Sequence, residues 1–402
     1  MEVLFLCGIF DEFNTETVVR NAKAPVEFSA NIFQQKMVQG FEKSDVDFKV
    51  LSAPFIGSFP NASKQIYFNG FETAPDKYSY VSFNNLWGYR NISRASALKK
   101  AIKSFAKKEG EKLIVVYSAH TPFLEAAVYA KSLDKNIKIC LVVLDLPQYM
   151  NLKTDRSKLY DVAKKYDIKK MHKLMEHVDS YVLLTEQMKE MLPIGDKPYI
   201  VREGIVTDSQ LERRDYQPTK EKYIVYTGKM DEKFGVKNLV DAFKYIEEDV
   251  YLVLCGTGDS DEYIKAAADK DSRIIAMGQV TPDVAREWQD KAAVLVNPRM
   301  NNEEYTKYSF PSKNIEYLLT GKPVVAYMLD GMPKHYQQYI YRPVDTENTV
   351  ENLAKAVLQA LHASRETNAG ISHEYINYVK ENLSAEHFVN KTIDMACGKK
   401  EI

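Results

Sequence analysis

Lys313 and Glu316 lie three residues apart in the stretch YSFPSKNIEYLLTGKPVVAY, residues 308–327. That spacing sets an ammonium and a carboxylate on one face of a helix. The helix is predicted to open behind Phe310 and Pro311 with Ser312 as its N-cap, to run to Thr320, and to stop at Gly321, with Pro323 leading into a strand. A capping box would need Glu or Gln at the position that Ile315 occupies, so capping does not account for Glu316. An open helix start with Ser312 and Lys313 attracts phosphate oxygens. A carboxylate one turn deeper repels phosphate but accepts two hydrogen bonds from a ribose diol. The pattern suits a nucleotide, and a solvated helix face with a surface lysine remains the plainer alternative.

Further residues of this kind follow apolar, strand-like runs. Gly228, Lys229 and Lys233 come after YIVYTG, Gly256 and Gly258 after VYLVLCG, and Arg299 after AVLVNP. Carboxyl ends of parallel strands share one rim, where glycine lets backbone approach a ligand and lysine meets its charge. In the first half, Gly8 follows the first strand, His120 stands between VVYSA and a helix opened by Thr121 and Pro122, and Asp145 ends VVLD. Each of these three also has an ordinary structural reading, as a turn, a core histidine or a cap. Two Asp-x-Asp pairs, at Asp45 and Asp47 and at Asp259 and Asp261, read as chance in an acid-rich chain. GTGDSD departs from the dinucleotide fingerprint. No pair of catalytic carboxylates stands out, which disfavours glycoside hydrolysis.

Positioning these residues requires alternating strands and helices. Strands are expected at 3–7, 48–53, 78–83, 113–117, 139–144, 181–184 and 199–202, with amphipathic helices such as SANIFQQKMVQGFEK and SRASALKKAIKSFAKK between them. Such alternation implies a parallel sheet. Residues 208–222, polar and containing Pro218, form the expected linker, after which the alternation restarts and closes with YIYRPV and TVENLAKAVLQALHA. The expected fold is α/β, with two doubly wound Rossmann-like domains, 1–207 and 223–384.

At 402 residues, two domains are the natural division. The net charge of −1 gives no basis for nucleic-acid binding. The charge is uneven, however: residues 51–200 carry 23 Lys and Arg against 15 Asp and Glu, a net of +8. MEVLFLCGIFDEF lacks the basic start of a signal peptide, and no apolar run is long enough to span a bilayer, so a cytoplasmic protein is expected. Cys7, Cys140, Cys255 and Cys397 have no metal-ligand spacing and read as reduced, small hydrophobic residues. No metal or cofactor is expected.

From residue 223 to 361 the chain resembles the nucleotide-binding half of retaining glycosyltransferases of the GT-B fold, family four. The residues that carry the likeness are YTGKMDEKFGVKNLVDAF, LVLCGTGD, IIAMGQV, AAVLVNPR and SFPSKNIEYLLTGKPVVAY. LDLPQYM, LLTEQM and YIVREGI resemble the branch that builds bacterial surface polysaccharides. The resemblance implies a nucleotide-sugar donor, a saccharide or lipid-linked glycan acceptor, retention, and no metal. It also implies that the two domains face across a cleft and that a final helix at 385–396 returns to the first. It places the ribose ligand on Glu316 and a diphosphate contact on Lys229, with Lys313, Ser312 and the amides after Phe310 and Pro311 as the further phosphate contacts read from the residues themselves. The base is read by the segment around Gln279, and His120 faces the sugar. The family's first signature acid falls on Tyr308 and its phosphate lysine on Phe234, next to Lys233. These departures keep open a degenerate partner subunit, and the shared architecture keeps open a nucleotide-sugar epimerase, which needs only one sugar substrate. Lysines at helical spacing in the first half imply either a solvated face or contact with an anionic membrane surface.

Overall fold

The computed structural model describes residues 1–24, 26, 28–73, 77–149, 158–212, 221–344 and 349–399. It divides into two compact units, Met1–Thr207 with Leu383–Ile402, and Asp208–Asn382. Most of the expected linker, residues 213–220, lies outside the described residues; Asp208–Leu211 forms a helical turn, and Lys222 already begins a strand.

The first unit is built on an eight-stranded sheet. Its strands are β1 (Glu2–Cys7), β2 (Asp47–Ser52), β4 (Phe71–Thr73), β5 (Tyr78–Tyr80), β7 (Lys112–Tyr117), β8 (Lys138–Val143), β9 (Ser180–Leu183) and β10 (Tyr199–Val201). Their spatial order is β10-β9-β8-β7-β1-β2-β5-β4, parallel except for β4. β1, β7 and β8 are buried almost throughout, as parallel strands covered by helices on both faces must be, and this is why they read as unbroken apolar runs. The expected strand 78–83 is in fact two. β5 leaves the sheet after Tyr80, and Phe83 opens a short strand β6 (Phe83–Asn84) that pairs antiparallel with β3 (Tyr67–Phe68). Phe68 stacks on Phe83 at 5.2 Å and Phe71 on Tyr80 at 4.2 Å, so aromatic pairs hold this insertion together. Helix Glu12–Asn21, capped by the Asp11 carboxylate 2.9 Å from the Asn14 amide, was not expected from the sequence.

The second unit has five parallel strands, β11 (Lys222–Thr227), β12 (Val250–Cys255), β13 (Ile274–Gly278), β14 (Val294–Asn297) and β15 (Val324–Ala326), in the order β13-β12-β11-β14-β15. Chain direction across the sheet reverses between β11 and β14, the crevice where open α/β sheets take ligands. The expected strand in YIYRPV reduces to one bridge, Tyr341 to Val325, because a 3-10 helix at Lys334–Gln338 takes up the preceding residues. The helix Ala385–Cys397 packs in the first unit, burying Phe388, Val389 and Ile393. No described helix is long and apolar enough to cross a membrane.

Candidate functional site

β11 ends at Thr227 and β14 at Asn297, flanking the reversal point. The loops beyond β11 and β12 are locked together. The Gly228 amide donates to the Cys255 carbonyl at 2.9 Å, Met230 to Thr257 at 3.0 Å, and Ser260 to Met230 at 2.9 Å. Gly256 has a φ of +143°, and a Cβ there would stand 1.7 Å from the Gly228 oxygen. A Cβ on Gly258 would stand 2.4 Å from the Met230 carbonyl carbon. These glycines therefore serve the approach of one loop to the other. Lys229 and Lys233 are exposed beside them, Lys233 with its Nζ 5.3 Å from the Phe234 ring centroid.

Helix Ser312–Leu319 delivers the central cluster. Its N-cap is Pro311 rather than Ser312, which is the first helical residue and is exposed, and no side chain caps the helix start. Pro311 has no side-chain oxygen to accept from the helix, so a hydroxyl cap is missing. The Asn314 amide turns back to the Pro311 carbonyl at 2.8 Å, and ahead of it lie the Ser312 and Lys313 amides. Lys313 donates to Glu316 at 2.9 Å and approaches the Thr227 hydroxyl at 3.4 Å. Gln289, from helix Pro282–Lys291, bridges the two other ends, 2.8 Å from the Thr227 hydroxyl and 2.9 Å from the second Glu316 oxygen. Tyr317 fixes the strand end itself: its hydroxyl accepts from the Thr227 amide at 2.8 Å. Burial alone would raise the Glu316 carboxyl, but the charge and hydrogen bond of Lys313, the Gln289 amide and the charge of Arg286 outweigh it and hold it below its ordinary value. Glu316 is thus an ionised acceptor whose two present partners are an amide and a lysine head.

Arg299, the second residue after β14, supplies a cation that spacing alone does not assign. Its guanidinium carbon stands 5.6 Å from the Phe234 ring centroid and 5.3 Å from that of Tyr305. One terminal nitrogen donates to Ser309 at 2.9 Å, while its Nε is buried without a hydrogen-bond partner. No carboxylate among the described residues pairs with it, and burial lowers its pKa. Gln289, unlike Arg299, is a residue that sequence leaves unmarked; its only signal is a polar side chain on the buried side of an exposed helix.

The remaining candidates are dispersed. Gln279 accepts from the Thr257 hydroxyl at 3.2 Å, beside the linked loops. Tyr308 is buried at the end of a 3-10 turn, and Phe310 packs on Tyr336 at 5.0 Å, so both belong to the core under the helix start. In the first unit, the Gly8 amide donates to Gln34 at 2.8 Å, and a Cβ on Gly8 would stand 2.6 Å from the Phe55 ring, which already fills that space. His120 sits at the N-cap of helix Thr121–Leu133, between Phe55 at 5.6 Å and Phe123 at 5.1 Å. Burial first, and then the charges of Arg94 and Arg90, push its pKa well below the ordinary value, so it is neutral, with a buried, unpartnered Nδ1. Asp145 is exposed on the bend after β8.

Residues 221–363 match the family model described as glycosyl transferases group 1. The match spans every strand of the second sheet and the cluster of Lys313, Glu316 and Gln289. Solved structures align over nearly the whole chain. The Anabaena protein HepE in complex with UDP shares 11% identity, covering 99% of this chain and all of its own, with a TM-score of 0.63. Sucrose-phosphate synthase from Thermosynechococcus elongatus shares 15%, covering 99% of both chains, with a TM-score of 0.61. A point mutant of TarM from S. aureus, in complex with Fondaparinux, alpha-GlcNAc-glycerol and UDP, shares 10%, covering 98% of this chain and all of its own, at 0.58. At such identities the likeness is one of fold, and it shows the expected α/β class with its doubly wound parallel sheets. A search of curated proteins finds no match.

Proposed function

We propose that this chain transfers a sugar, with retention, from a nucleoside-diphosphate donor to a saccharide acceptor, in particular a lipid-linked glycan. The observation that carries the reading is the cluster of Thr227, Gln289, Lys313 and Glu316 at the strand-order reversal, beside an uncapped helix start. The family match over this unit supports it, as do the UDP complexes of the HepE and TarM structures. In this reading the unit Asp208–Asn382 holds the donor and the unit Met1–Thr207 the acceptor. Glu316 takes the ribose hydroxyls in exchange for its contacts with Lys313 and Gln289. Lys313, freed in that exchange, turns to the diphosphate with the amides that follow Pro311, and Lys229 and Arg299 add charge. The bond from the sugar's anomeric carbon to the phosphate oxygen breaks, its electron pair leaving with the diphosphate. The acceptor oxygen bonds the same carbon from the same face, and its proton passes to the departing phosphate. Fixed cations that stabilise the leaving group supply what a metal would otherwise do.

Calorimetric titration of UDP, GDP and ADP into the protein and into Glu316→Ala tests this. One diphosphate binds, and the substitution weakens it by about 1–3 kcal/mol, the size of a charged hydrogen bond. Absence of binding by all three, or equal binding by the variant, overturns the reading. The burial of Tyr308, at the position where the resemblance puts an acid, favours a second reading, a subunit that binds the nucleotide without transfer. That reading predicts diphosphate binding with no sugar release from a matching nucleotide-sugar under any acceptor.

A further inference from the structure

Six large apolar side chains that the fold leaves exposed fall within residues 66–92: Ile66, Tyr67, Leu86, Trp87, Tyr89 and Ile92. They form one surface. Tyr67 pairs with Asn84 across β3 and β6, the Asn85 amide donates to Ile66 at 2.7 Å, and Trp87 donates to Phe59 at 2.8 Å, so both strand ends and the Trp87–Gly88–Tyr89 turn lie side by side. Trp87 is 56% exposed and Ile92 62%, unusual values for side chains of this size. From the turn the chain enters helix Arg90–Ala101 and continues into Lys103–Ala106 without a break, since Ile102 donates to Leu98 and Ala106 to Ile102.

Along this helix Ile92, Ser96, Lys100, Lys103 and Lys107 are all exposed, at steps of four, four, three and four residues. They therefore make one stripe of ~22 Å, apolar at Ile92, three residues beyond Tyr89, small and neutral at Ser96, and basic from Lys100 onward. Arg20, Lys23 and Lys64 are exposed as well; the Lys23 amide donates to Ala62 and the Lys64 amide to Asn21, which ties them to the segment whose Phe59 carbonyl accepts from Trp87. None of these six cations forms an ion pair among the described residues. Residues 58–107 hold eight Lys and Arg against two acids.

We propose that this face docks on an anionic lipid bilayer, with Trp87, Tyr89, Leu86 and Ile92 entering the interface and the flanking cations meeting lipid phosphates. Trp and Tyr carry an apolar body and a polar tip, which suits them to headgroup depth, and lysines keep their heads among the phosphates while their stems lie on the apolar layer. The charge chooses the occupant. A second copy of the chain seated here would set one basic rim against another across a two-fold axis, which like-charge repulsion opposes. The surface rests on the transferase reading for its purpose, which is to hold the enzyme beside a lipid-linked acceptor, and not for its geometry.

The chain has two tryptophans, so Trp288→Phe leaves Trp87 as the sole reporter. This variant is mixed with vesicles of phosphatidylcholine containing phosphatidylglycerol, or of phosphatidylcholine alone. The expected result is a blue-shifted Trp87 emission, quenched by brominated acyl chains, with the anionic vesicles only. Reversing Lys100, Lys103 and Lys107 to Glu lowers vesicle partitioning about a hundredfold or more, at roughly a factor of five for each lysine lost. Trp87→Ser with Ile92→Ser removes cosedimentation while the circular dichroism stays that of the parent. Absence of any shift or cosedimentation with anionic vesicles overturns the proposal, and so does an equal response to both lipids. Self-association without lipid that Trp87→Ser abolishes also overturns it, in favour of a contact between copies. Diphosphate titration of the same preparation separates the two readings. A protein that binds nucleotide but no vesicle loses only the docking face, and one that binds vesicles but no nucleotide loses only the donor site.

Discussion

A guanidinium half withdrawn from water without a carboxylate is costly unless something else offsets its charge. Arg299 has two aromatic faces and one serine hydroxyl, a weak set of partners for a cation at the strand-order reversal. An anionic ligand there would complete it. Arg299→Ala is predicted to weaken diphosphate binding by about 1.5–3 kcal/mol, the value of a hydrogen bond to a charged group. Phe234→Lys in that background recovers part of the loss, because it returns a cation to the same place; isothermal titration reads both. His120 makes a separate prediction about pH. Its folded pKa is depressed well below the ordinary 6.5, so below that pH the unfolded chain binds a proton that the folded one refuses. Stability that His120 allows at neutral pH is therefore lost as pH falls through about 6.5, and His120→Asn flattens this part of the melting-temperature profile. Of these residues, Lys313 and Glu316 are legible in sequence because one helical turn brings them together. Gln289 and Thr227 are 62 positions apart and meet only through the sheet, and the pairing of Arg299 with Phe234 is likewise tertiary.

Between elements, the site depends on loops that touch each other through glycine. A side chain at Gly256 meets both a φ of +143°, a region that disfavours any Cβ, and the Gly228 oxygen. Gly256→Ala is predicted to destabilise the second unit by about 1–3 kcal/mol or more. Gly370, inside helix Arg365–Asn382 with open space where its Cβ would stand, gives the opposite sign: Gly370→Ala stabilises by up to about 1 kcal/mol. Urea unfolding followed through Trp288, in a Trp87→Phe background, reads both changes in the unit concerned. The long parallel strands were legible because burial on both faces writes a continuous apolar run, as in KLIVVY and VYLVLC. The insertion between β2 and the helix Arg90–Ala101 was not, because strands of two or three residues leave too few positions for alternation to register. YIYRPV has the composition of a strand, yet only Tyr341 finds a ladder partner, since the 3-10 turn before it and Pro343 after it leave no room for more.

At the scale of the molecule, the chain completes its first unit with its last described helix. Ala385–Cys397 lies against Phe28–Lys43, with Phe388 edge-on to Phe33 at 5.8 Å. Gly40 makes this possible, because a Cβ there would stand 2.2 Å from the Ala385 oxygen. The crossing is stitched by two backbone bonds, Val206 to Leu383 at 2.8 Å and Ala385 to Val206 at 3.1 Å. Fully burying Phe388, Val389 and Ile393 contributes about 1.5–3 kcal/mol each. Their sum is comparable with the ~5–15 kcal/mol that stabilises a whole domain. Deleting residues 383–402 is therefore predicted to unfold or loosen the first unit alone. Hydrogen exchange should show protection lost in Phe28–Lys43 and in β8 to β10, while β11, β12 and β14 keep theirs. Gly40→Leu should reproduce the pattern in milder form with the full chain present, since it prises the helix away without removing it. Equal loss of protection in both sheets would mean that the units fold as one, and that the final helix contributes to the whole molecule rather than to the unit it packs on.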